Sequence, residues 1–507
     1  MKPALLITAI ALLTAPAGAS AATTYTVHPG ESIATALAQA GDGDTVHVLA
    51  GTYTEQPLTV SHAVRVEGEP GTVVSNASAD ASKALFTFTA DGGALSTMTA
   101  ASTAGPVVVG QAAGLAISGA LIISASGAGP GVRFEGSGAS SIVGSGVAAV
   151  ATVADAVQVQ STTAGDRSLS VDSSILSGGA SAASLRATSS NSLLTLNTGN
   201  IAVHAVHATL AGAAAAVATE VTSIGVGSPG TVAVGVDRSI VRGATGAGVT
   251  VTSSDTSAAD IFVNAGARDF HLRADAPVID QGGPAISGES DRDIDGQPRV
   301  AGAASDLGAD EFVNQAPVAR LATPAAIRTP GGVNLDATGS SDPEAATGGG
   351  IAGYHFDFGD GAVVDALTPS AGHAYAKPGV YTATVTVTDR QGLSTTSAPV
   401  QVQVLDGVAP AARIISPRNG RKLRRRGVIR FTGSATDDVG IAAVGLTLRR
   451  IGTRKIVRYK TSFQQGIWSR KLPRRPRLRR GRYELKAYAV DTAGNVSKAA
   501  RIRFTLK

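Results

Sequence analysis

The sequence predicts an all-β protein whose first part is a repetitive solenoid. Small and turn-forming residues dominate: Gly occurs 61 times among 507 residues, whereas aromatic residues make up 4%. This composition favours many short strands. From about Thr23 to about Val251, short apolar runs alternate with Gly, Ser, Asn and Asp. The segment Val171–Gly178 nearly repeats at Val236–Gly243, 65 residues further on, which indicates three stacked coils of about 22 residues each.

Residues 1–22 have the pattern of a secretory signal peptide. Lys2 precedes an apolar run from Ala4 to Leu13, and small-x-small cleavage patterns follow at Ala17–Ala21. A run of about ten apolar residues is too short to span a bilayer. We therefore expect export and removal of this segment, with a first buried strand or helix as the alternative. No transmembrane segment is expected elsewhere, and the absence of Cys excludes disulfides.

Charge is distributed unevenly along the chain. Residues 1–312 contain 12 Lys and Arg against 26 Asp and Glu, and residues 313–408 contain 4 against 8. Residues 409–507 contain 27 against 4. The acidic and basic ends are therefore expected to have different partners.

The stretch AGDGDTVHVLAGTYTE, from Ala40 to Glu55, fits either a metal site or a structural corner. Asp42 and Asp44 flank a glycine, but Val46 stands where a calcium loop needs a third oxygen ligand. His47 falls on the strand face opposite Val46. We interpret the stretch as the exit from a short helix into a first strand.

That helix is predicted from its N-cap, Ser32, to Gln39. The opening pattern S-I-x-x-A-L-x-x-A-x-x-G-D-x-V-x-V-x-x-G-T-Y resembles the N-terminal cap and first coil of right-handed parallel β-helix proteins, of which the pectate-lyase-like superfamily is the best known. DFHL at 269–272, DIDGQPR at 293–299 and DLGADE at 306–311 resemble the closing segment of secreted bacterial β-helix proteins. The resemblance implies a right-handed parallel β-helix over residues 23–312.

Known β-helix proteins include polysaccharide lyases and glycosidases, but a fold does not establish a function. Lys83 is the single lysine of the mature module, and no lyase-like cluster of acids and bases stands out. Asp172 and Asp237, three coils apart, would be separated by roughly 14 Å, too far for a glycosidase pair. Asp155 and Asp166 could each pair with Asp172 if they lie on adjacent coils. The alternative is that all three are ordinary turn aspartates. No catalytic residue is assigned.

Aromatic and histidine residues give little support to a ligand groove along the coils. Between residues 90 and 260 the aromatic side chain is Phe134, without Tyr or Trp. His204 and His207 resemble a metal pair, but residues three apart on a strand face opposite sides. We interpret both as solvated or core-edge histidines.

One calcium site is predicted. Asp291, Asp293 and Asp295 fit the first half of a D-x-D-x-D-G loop. The twelfth position is Gly302, where this loop needs a bidentate Glu. The carboxylates that replace it if the chain folds back are Glu311, Asp306 and Asp310. A hydrogen-bonded turn is the favoured interpretation of this stretch, the calcium site is the hypothesis beside it, and no cofactor other than Ca²⁺ is considered.

Residues 315–405 resemble a PKD (polycystic-kidney-disease) domain. The matching motifs are GSSDP at 339–343, YHFDFGDG at 354–361, HAY at 373–375, PGVY at 378–381 and VTVTDRQG at 385–392. Phe356 stands where the family usually has Trp. The resemblance implies a seven-stranded β-sandwich that serves as a spacer or binding module, with Asp357, Asp360 and His373 as turn residues rather than a metal site. Independently, the alternation from Tyr381 to Thr388 predicts a strand with one apolar face.

In residues 409–507, ATDDVGI at 435–441 and AVDTAGN at 489–495 resemble bacterial immunoglobulin-like repeats, which implies a second β-sandwich. Basic residues crowd the segments beside its predicted strands. The polyanion-binding candidates are Arg421, Lys422, Arg424, Arg425, Arg426, Arg474, Arg475, Arg477, Arg479 and Arg480. Wall polymers, acidic polysaccharide, lipid headgroups and free DNA are the candidate targets. Few aromatics and no reading motif argue against specific nucleic-acid recognition; a solvated basic face is the alternative.

The predicted fold class is all-β, a right-handed parallel β-helix followed by two β-sandwich domains, PKD and immunoglobulin-like. We expect a secreted or cell-surface binding or scaffold protein that engages extracellular carbohydrate or a cell-wall polyanion and is not an enzyme. The alternative is a secreted polysaccharide lyase or glycoside hydrolase with C-terminal accessory domains. The ligand and the oligomeric state are left open.

Overall fold

In the computed structural model the chain forms two compact units, Met1–Asn314 and Gln315–Lys507. The structure describes residues 9–11, 21–125, 129–190, 198–223, 228–284, 287, 289–424, 428–472 and 478–507. Most of the predicted signal segment therefore lies outside the described residues, and Ala9–Ala11 pairs antiparallel with Thr23–Tyr25. Within the described ranges, no helix has the length and hydropathy needed to cross a membrane.

The first unit is a parallel β-helix, built from three stacks of parallel strands. The strands of the first stack are Thr23–Val27, Thr45–Val48, Arg65–Gly68, Ala94–Ser96, Ala116–Ser118, Gly138–Val143, Arg167–Asp172, Ile201–Val206, Val232–Asp237 and Val249–Thr252. Those of the second are Gly51–Glu55, Thr72–Asn76, Thr99–Ser102, Leu121–Ser124, Gly146–Ala149, Ile175–Ser177 and Ile240–Thr245. Those of the third are Leu58–Val60, Phe86–Phe88, Val108–Gly110, Val132–Phe134, Val157–Ser161 and Ala183–Ser190, and Thr209–Thr222 pairs in both the second and third stacks.

Alternation of buried and exposed residues explains why these short segments form strands. In Thr45–Val48 the two valines are buried and the other two residues are half-buried. Val46 lies in register with Val66, and Val66 with Leu95, so that apolar side chains stack from coil to coil. The resulting ladders form one continuous core from Val27 to Val241. Burial of these side chains drives the fold, while parallel pairing satisfies the backbone.

The turn from the first stack to the second has a repeated backbone conformation. A single left-handed residue, with φ between 44° and 57°, follows the strand at Thr97, Gly119, Gly144, Ser173, His207, Arg238 and Ser253. The next residue is a serine in several coils: Ser145, Ser174, Ser239 and Ser254. Each of these hydroxyls donates to the carbonyl two residues earlier and accepts a main-chain N–H from the preceding coil. The near-repeat in the sequence thus encodes this corner.

The predicted coil length is wrong. Asp172 pairs with Val206 and Val206 pairs with Asp237, so the two aspartates lie two coils apart, not three. The third-stack strand lengthens from three residues at Val108–Gly110 to eight at Ala183–Ser190. Longer strands and connections are accommodated on the side of the third stack. The corner between the first and second stacks keeps the same backbone conformation from coil to coil. Spacing along the sequence therefore overestimates the number of coils.

The N-terminal helix is shorter than predicted and is capped differently. It runs from Ile33 to Leu37 and ends before Gln39. Ser32 makes no capping bond; its hydroxyl donates to Glu55, whose buried carboxylate accepts the N–H of Ile33 at 2.7 Å. A carboxylate from the first coil thus satisfies a free helix N–H. The structural interpretation of the AGDGDT stretch is consistent with the model, since the Asp42 and Asp44 carboxylates accept main-chain N–H groups.

A small hairpin follows the last coil. Phe262–Asn264 and Asp269–Leu272 pair antiparallel around a 3₁₀ turn at Ala265–Ala267. The rings of Phe262 and Phe270 pack edge to face at 5.2 Å. This hairpin and the irregular chain from Arg273 to Phe312 make up what we call the closing segment.

The second unit begins with a β-sandwich. Its strands are Ile327–Arg328, Gly332–Asp336, Ile351–Asp357, Val363–Ala366, Ser370–Ala374, Gly379–Asp389, Ser394–Thr396 and Val400–Leu405, with a 3₁₀ turn at Ala345–Thr347. Gly332–Asp336 and Ser370–Ala374 pair with each other, and the remaining strands form the larger sheet. Phe356, Phe358 and Val385 are fully buried between the sheets. The strand predicted at Tyr381–Thr388 is confirmed within Gly379–Asp389.

A second sandwich completes the chain. One sheet contains Ala411–Ser416, Arg430–Thr436, Ile467–Lys471 and Ser462–Gln464. The other contains, in spatial order, Lys422–Leu423, Ala500–Leu506, Gly481–Asp491, Ile441–Arg450 and Ile456–Lys460. Trp468, Phe431 and Leu485 are fully buried between them. The all-β class and the order β-helix, sandwich, sandwich agree with the prediction.

Candidate functional site: a basic sheet face

The five-stranded sheet of the last sandwich carries a dense set of cations on its outer face. Along each strand, apolar residues such as Leu446 and Leu485 point into the core, so the alternate residues point outward. The outward basic residues are Lys422, Arg449, Arg458, Lys460, Arg482, Lys486, Arg501 and Arg503. We call this set the basic sheet face. Cross-strand register brings its members together: Thr447 lies between Arg458 and Lys486, and Lys486 lies beside Arg501.

One carboxylate lies among these cations. Glu484 has a side chain only 4% exposed and forms ion pairs with Arg449 at 3.4 Å, Lys486 at 3.8 Å and Arg501. Burial acts to raise the pKa of Glu484, but the hydrogen bond and charge of Arg501, with those of Arg449 and Lys486, outweigh it and lower the pKa. Glu484 therefore stays ionised and holds its three partners in place. Those partners remain 43–48% exposed, so their outer surfaces face solvent.

The predicted polyanion-binding residues fall in three groups. Lys422 belongs to the basic sheet face, and Arg421, Arg424, Arg479 and Arg480 are exposed beside its strands. The others, Arg425, Arg426, Arg474, Arg475 and Arg477, lie outside the described residues. The prediction therefore stays a prediction for the loop arginines. It also missed most of the sheet face, whose signal in the sequence is the alternation of basic and apolar residues in strands such as Ala500–Leu506.

An aromatic side chain borders the same face. The ring of Tyr488 lies over Gly445, where an added Cβ would approach the ring to 2.4 Å. Trp468 and Tyr483, two of the few aromatic residues near the basic segments, are buried in the core. Tyr488 therefore offers a flat, partly exposed surface next to the cations, of the kind on which a sugar ring stacks.

The opposite sheet provides a comparison within the same sandwich. Its outward basic residues in the described ranges include Arg413, Arg430 and Lys471. Arg430 and Lys471 are register partners, whereas Arg413 lies opposite Ser434. The outward charge is sparser on this sheet, so the basic sheet face is the more concentrated electrostatic feature.

The predicted calcium residues lie in the closing segment, and the carboxylates of Asp293 and Asp295 have protein partners. Asp293 is buried and accepts N–H groups from Asp295, Gln297 and Glu311. Asp295 forms an ion pair with His271 at 3.0 Å, whereas Asp291 is exposed. The described contacts are those of a hydrogen-bonded turn, and Ca²⁺ binding at Asp291, Asp293 and Asp295 stays a prediction.

His271, Asp295 and Asp310 each bring one potential ligand atom to a common position. The hydrogen bonds from His271 to Asp295 and to Asp269 outweigh its burial and raise the pKa of His271 to about 10. The imidazole is therefore protonated at neutral pH and donates from both nitrogens. In the described contacts His271 is ion-paired with both Asp269 and Asp295.

Three further carboxylates of the closing segment are buried. Burial raises the pKa of Asp306 to about 6, of Asp310 to about 6 and of Glu311 to about 7. Each accepts main-chain N–H groups of the same segment. Arg299, itself 3% exposed, donates to the carbonyl oxygens of Gly308 and Ala309. These charged groups hold an irregular chain in one conformation.

The closing segment docks on three successive left-handed corners. Arg299 donates to Ser173 at 2.7 Å. Glu289 lies 3.4 Å from the fully buried His207 and 3.5 Å from Arg238. These corners therefore carry side chains, rather than glycine, that fasten the closing segment to the coils. His204 is exposed, as expected for a solvated histidine, whereas His207 is fully buried at the left-handed corner after the strand and is not at the core edge as predicted.

The carboxylates considered for catalysis are at separate places. Asp155 is buried in an ion pair with Arg186 at 2.6 Å. Asp166 is exposed and accepts a main-chain N–H from the next coil. Asp172 accepts the N–H of Ser290 in the closing segment. Each has a structural contact, which agrees with the turn-residue interpretation.

A cleft of about 520 Å³ separates the hairpin from the second stack. Two arginines line it, but both are engaged. Arg242 pairs with Asp255 at 2.8 Å and lies 5.7 Å from the centre of the Phe262 ring. Arg268 donates to Ala149 and Ser177, on two adjacent coils. The cleft arginines thus tie the hairpin to the coils.

Comparison with known proteins bears on the first sandwich. The family model described as "PKD domain" matches residues 314–404. The segment is therefore similar to PKD domains, and we refer to it as the PKD domain. Its Asp357 and Asp360 accept main-chain N–H groups, and His373 bonds Asp360 at 2.7 Å, as turn residues do. PKD domains are typical of extracellular proteins.

Several solved structures are similar to part of the chain. The PKD1 domain of Vibrio anguillarum Epp is 30% identical over 18% of this chain and 99% of that domain, with a TM-score of 0.15. Carbohydrate-binding modules from the β-sandwich superfamily are 18% identical over 37% of this chain and 100% of theirs, with a TM-score of 0.18. The fibronectin(III)-like modules of Clostridium thermocellum CbhA are 15% identical over 38% of this chain and 94% of theirs, with a TM-score of 0.18. No curated protein matches the sequence.

Proposed function

We propose that the protein is an extracellular binding or scaffold protein that attaches to acidic polysaccharide through the basic sheet face. The observation that carries the proposal is eight outward cations on one sheet, arranged around the single carboxylate of Glu484. A surface of one sign attracts polymers of the opposite sign and retains them in a salt-dependent way. In this proposal the β-helix is a rigid support and the PKD domain a spacer.

Acidic polysaccharide is favoured over nucleic acid by the surroundings of the cations. Trp468 and Tyr483 are buried, so they are not available to stack on bases. Tyr488 gives one flat surface beside the cations, which suits a sugar ring. Polygalacturonate and alginate are the first probes, neutral dextran is the negative control, and single-stranded DNA tests the competing class of polyanion.

The test compares two triple variants of the full chain. Arg458→Gln, Lys460→Gln and Arg503→Gln remove three cations of the basic sheet face that form no described ion pair. Arg413→Gln, Arg430→Gln and Lys471→Gln remove equal charge from the opposite sheet. At about 1 kcal/mol for each cation near an anionic surface, the first variant should bind polygalacturonate on the order of 100-fold more weakly at low salt.

The opposite-sheet variant should retain most of the affinity. Equal losses of affinity in the two variants would show that binding depends only on net charge, and would contradict the proposal that the basic sheet face is the binding site. Tighter binding of DNA than of either polysaccharide would overturn the choice of ligand. No binding of any polyanion by the unmodified chain would overturn the proposal as a whole.

Secretion by the predicted signal peptide is part of the same proposal. Expression with residues 1–22 intact, followed by mass spectrometry of the exported protein, should give an N-terminus between Ser20 and Thr23. The enzymatic alternative is not favoured by the contacts of Asp155, Asp166 and Asp172, each of which has a structural partner.

A further inference from the structure

A second charged cluster lies where the two sandwiches of the second unit join. Asp406 directly follows Val400–Leu405, the last strand of the PKD domain. Asp437 and Asp438 directly follow Arg430–Thr436 of the last sandwich. One carboxylate oxygen from each of the three lies within 4.8 Å of the others. Residues far apart in the sequence thus bring three negative charges to one place.

Two of these carboxylates have a buried oxygen without a hydrogen-bond partner. Asp406 is 4% exposed; one oxygen accepts the N–H of Val408, and the other, Oδ2, is buried without a partner. Asp437 accepts the N–H groups of Val439 and Gly440 through Oδ2, whereas its Oδ1 is buried without a partner. Burying an anionic oxygen without a donor is costly.

No basic side chain compensates this charge in the described part of the unit. The ion pairs found there involve the carboxylates of Asp360, Asp365 and Glu484. Arg328 approaches, but it donates to the main-chain carbonyl of Asp406 rather than to the carboxylate. Converging carboxylate oxygens without N–H donors are the ligands that hard divalent cations prefer.

A third loop holds the cluster in position. Asn495 donates its side-chain amide to the carbonyl oxygens of Asp406 at 3.2 Å and Val408 at 3.4 Å. Thr492 donates its N–H to Gly440, next to Asp437. The loop begins at Asp491, which is 1% exposed and also has a buried oxygen without a partner. The DDVG and DTAGN motifs thus meet at the linker.

We propose that Asp406, Asp437 and Asp438 form a binding site for a hard divalent cation, with Ca²⁺ as the expected ion. The cation takes one oxygen from the linker after the PKD domain and two carboxylates from the last sandwich. Binding therefore fixes the linker against the sandwich that carries the basic sheet face. This inference does not depend on the identity of the polyanion, because it rests on a different set of residues.

The first test is calorimetric titration of the full chain with Ca²⁺ alone. Asp437→Asn combined with Asp438→Asn removes two ligands while keeping the size of the side chains. Asp365→Asn is the matched control, since Asp365 is an exposed carboxylate of the same unit. The unmodified chain and the control should bind one more equivalent of Ca²⁺ than the double variant. Equal stoichiometry and affinity in all three would overturn the site.

The single variant Asp438→Asn guards against a folding defect, because Asp438 is exposed. It should keep the unfolding temperature of the calcium-free chain and weaken Ca²⁺ binding at least tenfold. Unchanged binding would exclude Asp438 from the site.

The second test measures whether the cation fixes the linker. The chain has no Cys, so Leu367→Cys in the PKD domain and Lys455→Cys in the last sandwich accept spin labels specifically. Both positions are exposed, Leu367 at 88%. Ca²⁺ should narrow the distance distribution between the labels, and the Asp437→Asn, Asp438→Asn background should abolish that narrowing. If Ca²⁺ leaves the distance distribution between the labels unchanged in the unmodified background, the proposed fixing of the linker is refuted.

Discussion

The closing segment of the β-helix and the basic sheet face of the last sandwich use charged residues in opposite ways. In the closing segment Arg299, Asp306 and Glu311 are at most 3% exposed and are bonded to the main chain. On the basic sheet face Arg458, Lys460 and Arg503 are exposed and have no described ion pair. The buried charges organise a chain that lacks regular secondary structure, whereas the exposed charges are free to meet a partner. Charge density alone therefore does not indicate a binding site; exposure and the absence of a protein partner do.

The largest effect is expected from Arg299→Met. Loss of its hydrogen bonds removes a donor from the carbonyl oxygens of Gly308 and Ala309, of which Ala309 keeps the N–H of Ile294, and takes the cation out of a cluster of carboxylates. Breaking such a buried ionic network costs about 3–5 kcal/mol. Chemical denaturation of the first unit should show this loss, with unchanged retention on polygalacturonate.

Arg292→Met is the control, because Arg292 is an exposed arginine of the same segment. A loss for Arg299→Met no greater than that for Arg292→Met would mean that the buried guanidinium does not organise the closing segment.

Acidification should stabilise the first unit between pH 8 and pH 5. The folded pKa values of Glu311, about 7, and of Asp306 and Asp310, about 6, are raised by burial above their unfolded values. The folded state therefore binds protons first, and the free energy of unfolding increases as the pH falls through this window. The buried His207, with a pKa lowered by burial to about 4, opposes this trend below about pH 6.5. His271, with a pKa raised to about 10, acts in the opposite sense to His207, because its contribution grows as the pH falls and is fully present below about pH 6.5. The net gain should be on the order of 4 kcal/mol.

Calorimetric scans at several pH values measure this effect, and Glu311→Gln should reduce the slope because it removes the group with the highest raised pKa. The ion pair of Glu484 in the other unit should change little in the same range, since its pKa is lowered. Its contribution is present above the unfolded pKa and disappears only when the pH falls through the folded value. Stability of the first unit that stays constant or decreases from pH 8 to pH 5 would contradict the prediction.

The smallest of these effects is expected from Glu484→Gln, and its two consequences have opposite signs. The last sandwich should lose about 2 kcal/mol of stability, because three cations lose their common carboxylate. Binding of polygalacturonate should strengthen about fivefold, since about 1 kcal/mol follows from one fewer negative charge at the surface. Parallel denaturation and binding curves measure both. Asp365→Asn, an exposed acid elsewhere in the unit, should change neither; weaker binding by Glu484→Gln would argue against the basic sheet face as the site.

The sequence predicts the fold well because local patterns encode it. Alternation places Val46 on the face opposite His47, and the strand predicted at Tyr381–Thr388 lies within Gly379–Asp389. Coil length was mispredicted because the third side of each coil varies freely while the corner is constant. Ser32 is the N-cap residue as predicted, but the acceptor for the free helix N–H is Glu55, which lies 22 residues after that N–H and could not be found from local sequence.

The candidate site was harder to predict than the fold. The sequence prediction placed polyanion binding on the runs of arginine in the loops. The described basic sheet face is formed instead by alternate residues of adjacent strands, such as Arg458 and Lys486 on either side of Thr447. Which strands become neighbours depends on the order of the sheet, which the sequence does not reveal. The meeting of Asp406 with Asp437 and Asp438 depends in the same way on long-range contacts.

The left-handed corner has a consequence for how this module evolves. Coils as different as those that begin at Ala116–Ser118 and Ile201–Val206 turn through the same backbone conformation, and serine hydroxyls join several of these corners. Because this edge has a fixed geometry, insertions and deletions are absorbed at the opposite edge without disturbing the stacking of neighbouring coils. Residues can therefore be added on one side of the module to create new surface, while the corner on the other side keeps neighbouring coils in register.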